Sequence, residues 1–506
     1  MIEFNRRQII QLFGIGGLSS MLSSKSYAQV SRERVFIKPT RGNKNDVIRS
    51  LPSEASNRVE YDNFNFISVT IPEQARLNLE QNPNIEYVES DSEIKIYNSF
   101  RERFGNPFEF IKNNPRNNTD DTNIKDSIPL QDDEIDEEED AYNDCSEEHS
   151  TQSTPWGVSR VGADKSEYTG KNVNIAILDT GIESKHCSLS VKGGKNFSDD
   201  GSEDDYQDKH GHGTHVAGIA SALDNNIGVK GVAPESNLYA LKVLNDDGSG
   251  FQSWMAAGID WCISNDIEII NLSIGGEQGS SAVDEMITTA YEEGHLLIAS
   301  AGNNGNDGSG SCSESNVSYP ATHKDIMAVS AMTEDEKLAD YSSVGSEIEI
   351  MAPGSNILST YINDNYATLN GTSMASPHIS GIAAQYWEKY NESNTASNEN
   401  VREAINNNSE TILDNCTEGN GLGLSVQTTN DSSEDPEDNT VPDEPEDNTV
   451  LDEPEDNTVP DEPEDNTIPD EPEDRIPSNP QSENVSERRR RVRSRIRSRI
   501  RSWFGW

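Results

Sequence analysis

The chain reads as an α/β protein whose main domain is a parallel sheet, preceded by a small α+β domain and followed by an acidic repeat tail. Three observations carry this reading. Between residues 151 and 426, short apolar runs alternate with helical segments, as when crossover helices bury both faces of a sheet. Residues 34–97 hold strand-like runs and a short helix of their own. From Pro436 a nine-residue unit, Pro-Glu-Asp-Asn-Thr-Val-Pro-Asp-Glu, restarts at Pro445, Pro454 and Pro463 and contains almost nothing that could form a core.

The elements follow in chain order. Arg6-Arg7, a mildly apolar run at 12–18 softened by glycine, and Ser26-Tyr27-Ala28 make residues 1–28 a twin-arginine-type export signal. No other run is long and apolar enough to span a bilayer. In the small domain, 35–37, 64–69 and 85–88 read as strands. Residues 72–81 read as a short helix, with Ala75, Leu77 and Leu79 apolar. Residues 98–150 are polar, with acidic runs at 132–134 and 136–140, and read as a disordered connector where maturation cuts would fall. In the main domain the strand candidates are 173–178, 237–243, 267–274, 296–301 and 326–329. Helices are expected after His212, Ser253, Val283 and Ser373.

Charge is uneven along the chain. Residues 151–430 carry 39 Asp and Glu against 13 Lys and Arg, a net of −26. Residues 431–474 carry 21 acids and no base, and 475–506 carry ten Arg and two Glu. So acidic a surface repels itself in dilute buffer and is screened in molar salt. A salt-adapted protein is therefore expected. Of the five cysteines, Cys187, Cys262, Cys312 and Cys416 lie in the main domain and could form two disulfides in any of three connectivities. Cys145 lies in the connector and could leave with it.

Three segments carry the chemistry. Ile175-Ala176-Ile177-Leu178-Asp179 is an apolar strand ending in a carboxylate. His212-Gly213-Thr214-His215 opens a small-residue helix. Gly371-Thr372-Ser373-Met374-Ala375 places a serine at a helix start, where backbone N–H groups can face a developing oxyanion. A histidine titrating near neutrality can take a serine proton, and a carboxylate can fix its tautomer. Asp, His, Ser is one of the chain orders in which the hydrolytic triad occurs. His210 reads as a surface residue and His215 as a structural one.

Nearly letter for letter, these segments resemble the subtilisin-like serine proteases (subtilases), and the acidity resembles that of the halolysins of haloarchaea. The resemblance implies an Asp179–His212–Ser373 triad in a serine endopeptidase acting on protein and peptide substrates. It implies Asn303, in Ser300-Ala301-Gly302-Asn303, as the oxyanion donor. It implies that Ser273, Ile274, Gly275 and Gly276 form one edge of the substrate cleft, and Gly248, Ser249 and Gly250 the other. Ser300, Ala301, Gly302 and Ser318 would enclose a pocket. No acid falls on these positions, so large apolar side chains are expected there. Residues 34–97 would be a propeptide that occupies the site. The resemblance also implies a structural calcium held by Gln152, Leu223, Asn225, Ile227 and Val229, although Ser188 stands where the family has an aspartate. Catalysis itself would need no cofactor.

The expected product is a secreted monomer, made as a self-processed zymogen. A surface-attached processing protease is the alternative. In the tail, Val492, Ile496, Ile500 and Phe504 recur every fourth residue among arginines, and Trp503 and Trp506 tip the segment. This suits an anionic membrane or cell-envelope surface, pairing with the chain's own acidic repeats, or no role. Nucleic acid is not expected, since an exported protein rarely meets it.

Overall fold

The computed structural model describes residues 31–97, 151–305, 315–413 and 415–427. The export signal, the connector, Cys145, Cys312 and the tail lie outside the described residues. Among those described, no helix is long and apolar enough to cross a membrane.

The small domain forms a four-stranded antiparallel sheet. Strands β1 (Arg32–Pro39), β2 (Ser56–Glu60), β3 (Ile67–Pro72) and β4 (Ile85–Ser90) lie in the order β2-β3-β1-β4. Helices α1 (Lys44–Ser50) and α2 (Glu73–Glu80) complete it. The strand period of two decides what each face does. Val35 and Ile37 of β1 join Ile67, Val69 and Ile71 in the domain's own core, while Phe36 points the other way into a core of the main domain. One expectation is corrected. Residues 64–66 lie outside β3, although Phe64 and Phe66 are buried against the main domain. Leu77 is 64% exposed, because on a helix it sits opposite Ala75 and Leu79, which face the core.

The main domain is built on a seven-stranded parallel sheet in the order β13-β12-β11-β10-β6-β8-β7. The strands are β6 (Asn174–Asp179), β7 (Val191–Asn196), β8 (Asn237–Lys242), β10 (Ile269–Leu272), β11 (Leu296–Ser300), β12 (Ile326–Met332) and β13 (Ile348–Pro353). Alternate side chains feed two cores. Ile175, Ile177, Ile269 and Ile298 pack on one face, Ala176, Leu178, Ile270 and Leu297 on the other. The first face is covered by helices His212–Ser221 and Thr372–Glu392, the second by Gln252–Ser264 and Ser281–Glu292. Strands β6 and β10 are neighbours, yet the chain leaves β6 toward one edge and β10 toward the other. This is the switch point where open α/β sheets bind ligands, outside the carboxyl ends of the strands. Asp179 ends β6, and Ser273 directly follows β10.

The small domain docks on the second face by capping its helices. Phe251, the N-cap of Gln252–Ser264, has no side-chain cap. Ser92 O accepts the Gln252 N–H at 3.0 Å, and the Asp91 carboxylate accepts the Ser253 N–H at 2.9 Å. Asp91 also pairs with Arg34 at 2.8 Å. Further along, Asp260 accepts the N–H groups of Asp62 and Asn63 at 2.7 and 2.9 Å. Burial pushes both carboxyls above their ordinary range, opposed for Asp91 by Arg34 and for Asp260 by the two backbone N–H groups.

Candidate active site

Three helix and strand ends converge at the switch point. Asp179 is fully buried and His212 is 6% exposed as the first residue of its helix. His212 Nδ1 lies 2.8 and 2.9 Å from the two oxygens of Asp179. Ser373, the second residue of Thr372–Glu392, is 2% exposed. Its hydroxyl donates to Ser273 O at 3.1 Å, and the Ser273 hydroxyl donates back to Ser373 O at 3.0 Å. Asn303 stands across from this helix start. Its Oδ1 accepts the Thr372 N–H at 3.0 Å and the Thr372 hydroxyl at 2.9 Å, which leaves the amide nitrogen facing the cleft.

A segment of the small domain lies in that cleft. Strand β5 (Glu93–Lys95) pairs antiparallel with β9 (Ser249–Phe251), matching Ile94 with Gly250 and Lys95 with Ser249. On its other side Lys95 exchanges both backbone hydrogen bonds with Gly275, at 2.8 and 3.0 Å. The Ile96 N–H donates to Gly248 O at 3.0 Å. The segment is thus a strand added between two edges. Tyr97 follows, and Asn303 Nδ2 donates to its carbonyl oxygen at 3.2 Å. Its ring reaches Gly275 and Ser318. A Cβ on Gly275 would fall 1.3 Å from the Tyr97 hydroxyl, so only glycine leaves room there. Burial pushes the Tyr97 phenol up, and the neighbouring Ser318 hydroxyl opposes this.

The remaining site residues also converge. Ser318 N–H donates to Ala301 O at 2.9 Å, and a Cβ on Gly302 would lie 2.6 Å from Ser318 Oγ, which brings Ala301, Gly302 and Ser318 together. Ser300 and Ile274 are buried. Gly276 N–H donates to Tyr319 O at 2.8 Å. His215 is structural as read: Nε2 sits 3.1 and 3.0 Å from Ile357 O and Ala367 O, and burial brings its pKa down to about 3. His210 is corrected. It is half-buried, its ring edge-on to His212 at 6.5 Å and next to Gly248.

The five loop residues come together as well. Gln152 Nε2 donates to Leu223 O at 2.5 Å, Ile227 O at 3.2 Å and Val229 O at 3.1 Å. Asn225 Oδ1 accepts the Ile227 N–H at 3.1 Å. Three carbonyls around one point fit a hard cation in donor type. All five donors are neutral, however, and Ser188 turns its hydroxyl to Ile227 O and Tyr366. Charge count sets calcium affinity, so these residues fit only a weak site.

The expectation of two disulfides within the main domain does not hold. Cys262 is a buried free thiol, pushed up by burial, inside the helix Gln252–Ser264, whereas Cys187 is disulfide-bonded. Packed in the second core, the thiol is accommodated as a small hydrophobe, and the nearby Asp260 adds to the upward push.

Asp208 was not singled out from the sequence. Its carboxylate is buried behind His212 and accepts five hydrogen bonds. Nothing in Tyr206-Gln207-Asp208-Lys209 marks it apart from other polar loop residues.

A buried carboxylate–imidazole pair at one helix start, a serine at the start of a second helix packed against the first, and an amide donor opposite that serine together fit a serine hydrolase. Comparison with known proteins gives the family. The sequence profile of the subtilase family, Peptidase_S8, matches residues 170–443. Subtilisin DY of Bacillus licheniformis is 43% identical over 275 residues, 54% of this chain and 97% of that protein. Subtilisin E of Bacillus subtilis is 43% identical over 279 residues, 54% of this chain and 71% of that protein. A thermostable alkaline protease of Halalkalibacterium halodurans is 42% identical over 275 residues, 54% of this chain and 72% of that protein. The chain belongs to the subtilase family and is a serine endopeptidase.

Proposed function

We propose a secreted, salt-adapted endopeptidase, made as a zymogen that first cuts its own chain between Tyr97 and Asn98. The single observation carrying this reading is the segment Glu93–Tyr97. It lies between both cleft edges, its last carbonyl on the Asn303 amide and its last side chain against Gly275 and Ser318. This is how a bound substrate would lie, with Tyr97 on the acyl side of the scissile bond.

In this reading, Ser373 Oγ turns from Ser273 O to His212, gives up its proton and attacks the carbonyl carbon. His212 holds that proton, and Asp179 fixes the ring and stabilises the imidazolium. The oxyanion takes hydrogen bonds from Asn303 Nδ2 and the Ser373 N–H. The protonated imidazole delivers its proton to the leaving amine, the new N-terminus at Asn98. Water then attacks the acyl-enzyme, with His212 as base again. The same cleft supports broad cleavage after large apolar residues, since Tyr97 packs there and no acid falls on Ser300, Ala301, Gly302 or Ser318. Calcium at the Gln152 loop would hold the loop shape and take no part in the reaction. The basic tail is proposed as an anchor to anionic surfaces. Equal sedimentation with anionic vesicles of the full chain and of one ending at Asp474 would reject that anchor.

The test is Ser373→Ala. The variant should accumulate with residues 34–97 still joined to the chain, whereas the parent should show a new N-terminus at Asn98 by mass spectrometry. Normal processing of Ser373→Ala would assign maturation to another protease.

A further inference from the structure

We propose that Asp208 is a positioning residue of this site: it locks the strand end that carries Asp179 to the helix start that carries His212. Its two oxygens divide the work. Oδ1 accepts the Thr180 hydroxyl and the N–H groups of His210 and Gly211, each at 2.9 Å. Oδ2 accepts the Thr214 N–H at 2.9 Å and the Thr214 hydroxyl at 2.7 Å. His212 is therefore bracketed, with Gly211 before it and Thr214 after it bonded to one rigid carboxylate.

The other end of the bracket reaches Asp179. Thr180 N–H donates to Asp179 Oδ1 at 2.8 Å, the same oxygen that faces His212 Nδ1. The Thr180 hydroxyl donates to Asp208 and accepts the Gly213 N–H at 3.0 Å, so one side chain ties β6 to the helix. Thr180 is fixed from behind by the buried Lys242, whose ammonium donates to Thr180 O at 3.0 Å and pairs with Asp246 at 2.9 Å.

The helix itself cannot supply this cap. Its N-cap is Gly211, at φ 99°, with no side chain to accept an orphan N–H. Asp208 takes the Thr214 N–H and Thr180 the Gly213 N–H, and a carboxylate at a helix N-terminus is also favoured by the helix dipole. Among the described residues no Lys or Arg pairs with Asp208. Its charge is balanced by hydrogen bonds alone, which pull on both catalytic elements at once.

Asp208→Asn keeps the size but turns one acceptor oxygen into a donor that faces donors. Among the described residues, no hydrogen bond joins Asp208 to the substrate edges at 248–250 and 273–276; its nearest link is the His210 ring beside Gly248. A misplacement on the order of 1 Å can cost about a hundredfold in rate. On a chromogenic peptide, with active sites titrated by a covalent serine inhibitor, Asp208→Asn should lower kcat about a hundredfold and leave KM within about threefold. The acidic limb of kcat/KM, set by the imidazole, should move to lower pH as Asp179 stabilises the imidazolium less well. Thr180→Val, which removes both side-chain bonds yet fits a β-strand end, should move kcat and the limb the same way by a smaller factor. If Asp208→Asn does not yield folded enzyme, Thr180→Val decides alone. Parental kcat and pH profile in Thr180→Val, or a rise in KM at unchanged kcat in either variant, would overturn the assignment.

Discussion

The side-chain amide nitrogen of Asn303 lies 3.2 Å from the carbonyl oxygen of Tyr97. The amide cannot rotate freely, because Thr372 holds its oxygen through both its N–H and its hydroxyl. A donor fixed before reaction costs no reorganisation when charge develops on that oxygen. Asn303→Ala should therefore lower kcat by about 10² to 10³, or about 2.7–4 kcal/mol, with little change in KM. Steady-state kinetics on a peptide substrate checks this. A variant that raised KM at constant kcat would place Asn303 in ground-state binding instead.

Tyr97 offers a test of which bond is cut first. Its ring packs beside Gly275 and Ser318. Tyr97→Phe should process at nearly the parental rate, since the ring is what packs. Tyr97→Glu would bury a charge beside Gly275 and Ser318, neither of which can neutralise it, and should slow the first cut at least about tenfold. The mass of the new N-terminal fragment reads the outcome. An unchanged rate in Tyr97→Glu would show that 93–97 is not the scissile segment.

Strands whose apolar runs are continuous were legible in the sequence, because burial on both faces leaves no polar position. Strand β7 was not: Val191-Lys192-Gly193-Gly194-Lys195-Asn196 looks like a turn. It lies at the sheet edge, and Gly194 is required by close approach, since a Cβ there would meet Ala240 O at 2.2 Å. Helix α1 holds a single buried apolar residue, Val47, so it shows no periodicity. The helix Asn398–Asn407 was missed although Ser397 caps it, its hydroxyl accepting the Asn400 N–H at 3.1 Å. Asp179, His212 and Ser373 stand out because each closes or opens a recognisable run: an apolar strand ending in a carboxylate, and two small-residue helix starts. Asp208 acts only through contacts made by folding, from Thr180 and Thr214, and no spacing announces it.

The Gln152 loop should bind calcium weakly. Its carbonyls now accept from an amide, and Ser188 adds no charge. Thermal unfolding of Ser373→Ala should respond to calcium only near about 10⁻⁴–10⁻³ M, as for sites poor in charged ligands. Adding Ser188→Asp should shift that response to lower calcium and make the protein sensitive to chelator. A parent already stabilised by micromolar calcium would contradict the neutral-cage reading.

His378 should make the fold acid-sensitive. It is fully buried, with Nδ1 2.9 Å from Met374 O, and burial brings its pKa from 6.5 down to about 4. Between those values the unfolded chain binds the extra proton, so stability falls as pH drops and is fully present above about 6.5. The contribution lost by pH 4 is roughly 3 kcal/mol at most. His378→Gln should be less stable at pH 8 but should lose less between pH 6.5 and 4, read as Tm against pH. Parallel curves for parent and variant would remove His378 from the account.

Salt dependence follows from where the acids sit relative to the few bases. Residues 251–300 carry eight acids and no Lys or Arg, within a domain of 39 acids against 13 bases. Lys209, one of those bases, stands between Asp205 and Asp246 at 3.7 Å from each, more than half of its side chain exposed. Exposed pairs of this kind contribute about 0–1 kcal/mol and cannot offset a net charge of −26. At about 0.1 M salt the Debye length is about 10 Å, so neighbouring acids still repel; at about 1 M it is about 3 Å and they do not. Activity should rise toward molar salt, and the half-life should fall steeply in dilute buffer. Sodium and potassium chloride should serve alike, because screening does not distinguish them. The measurement is residual activity after incubation across a salt series, with unfolding followed on Ser373→Ala to separate it from self-digestion. Full stability of both proteins at about 0.1 M salt would mean that the folded domain carries its charge without screening, and the salt-adapted reading would fall.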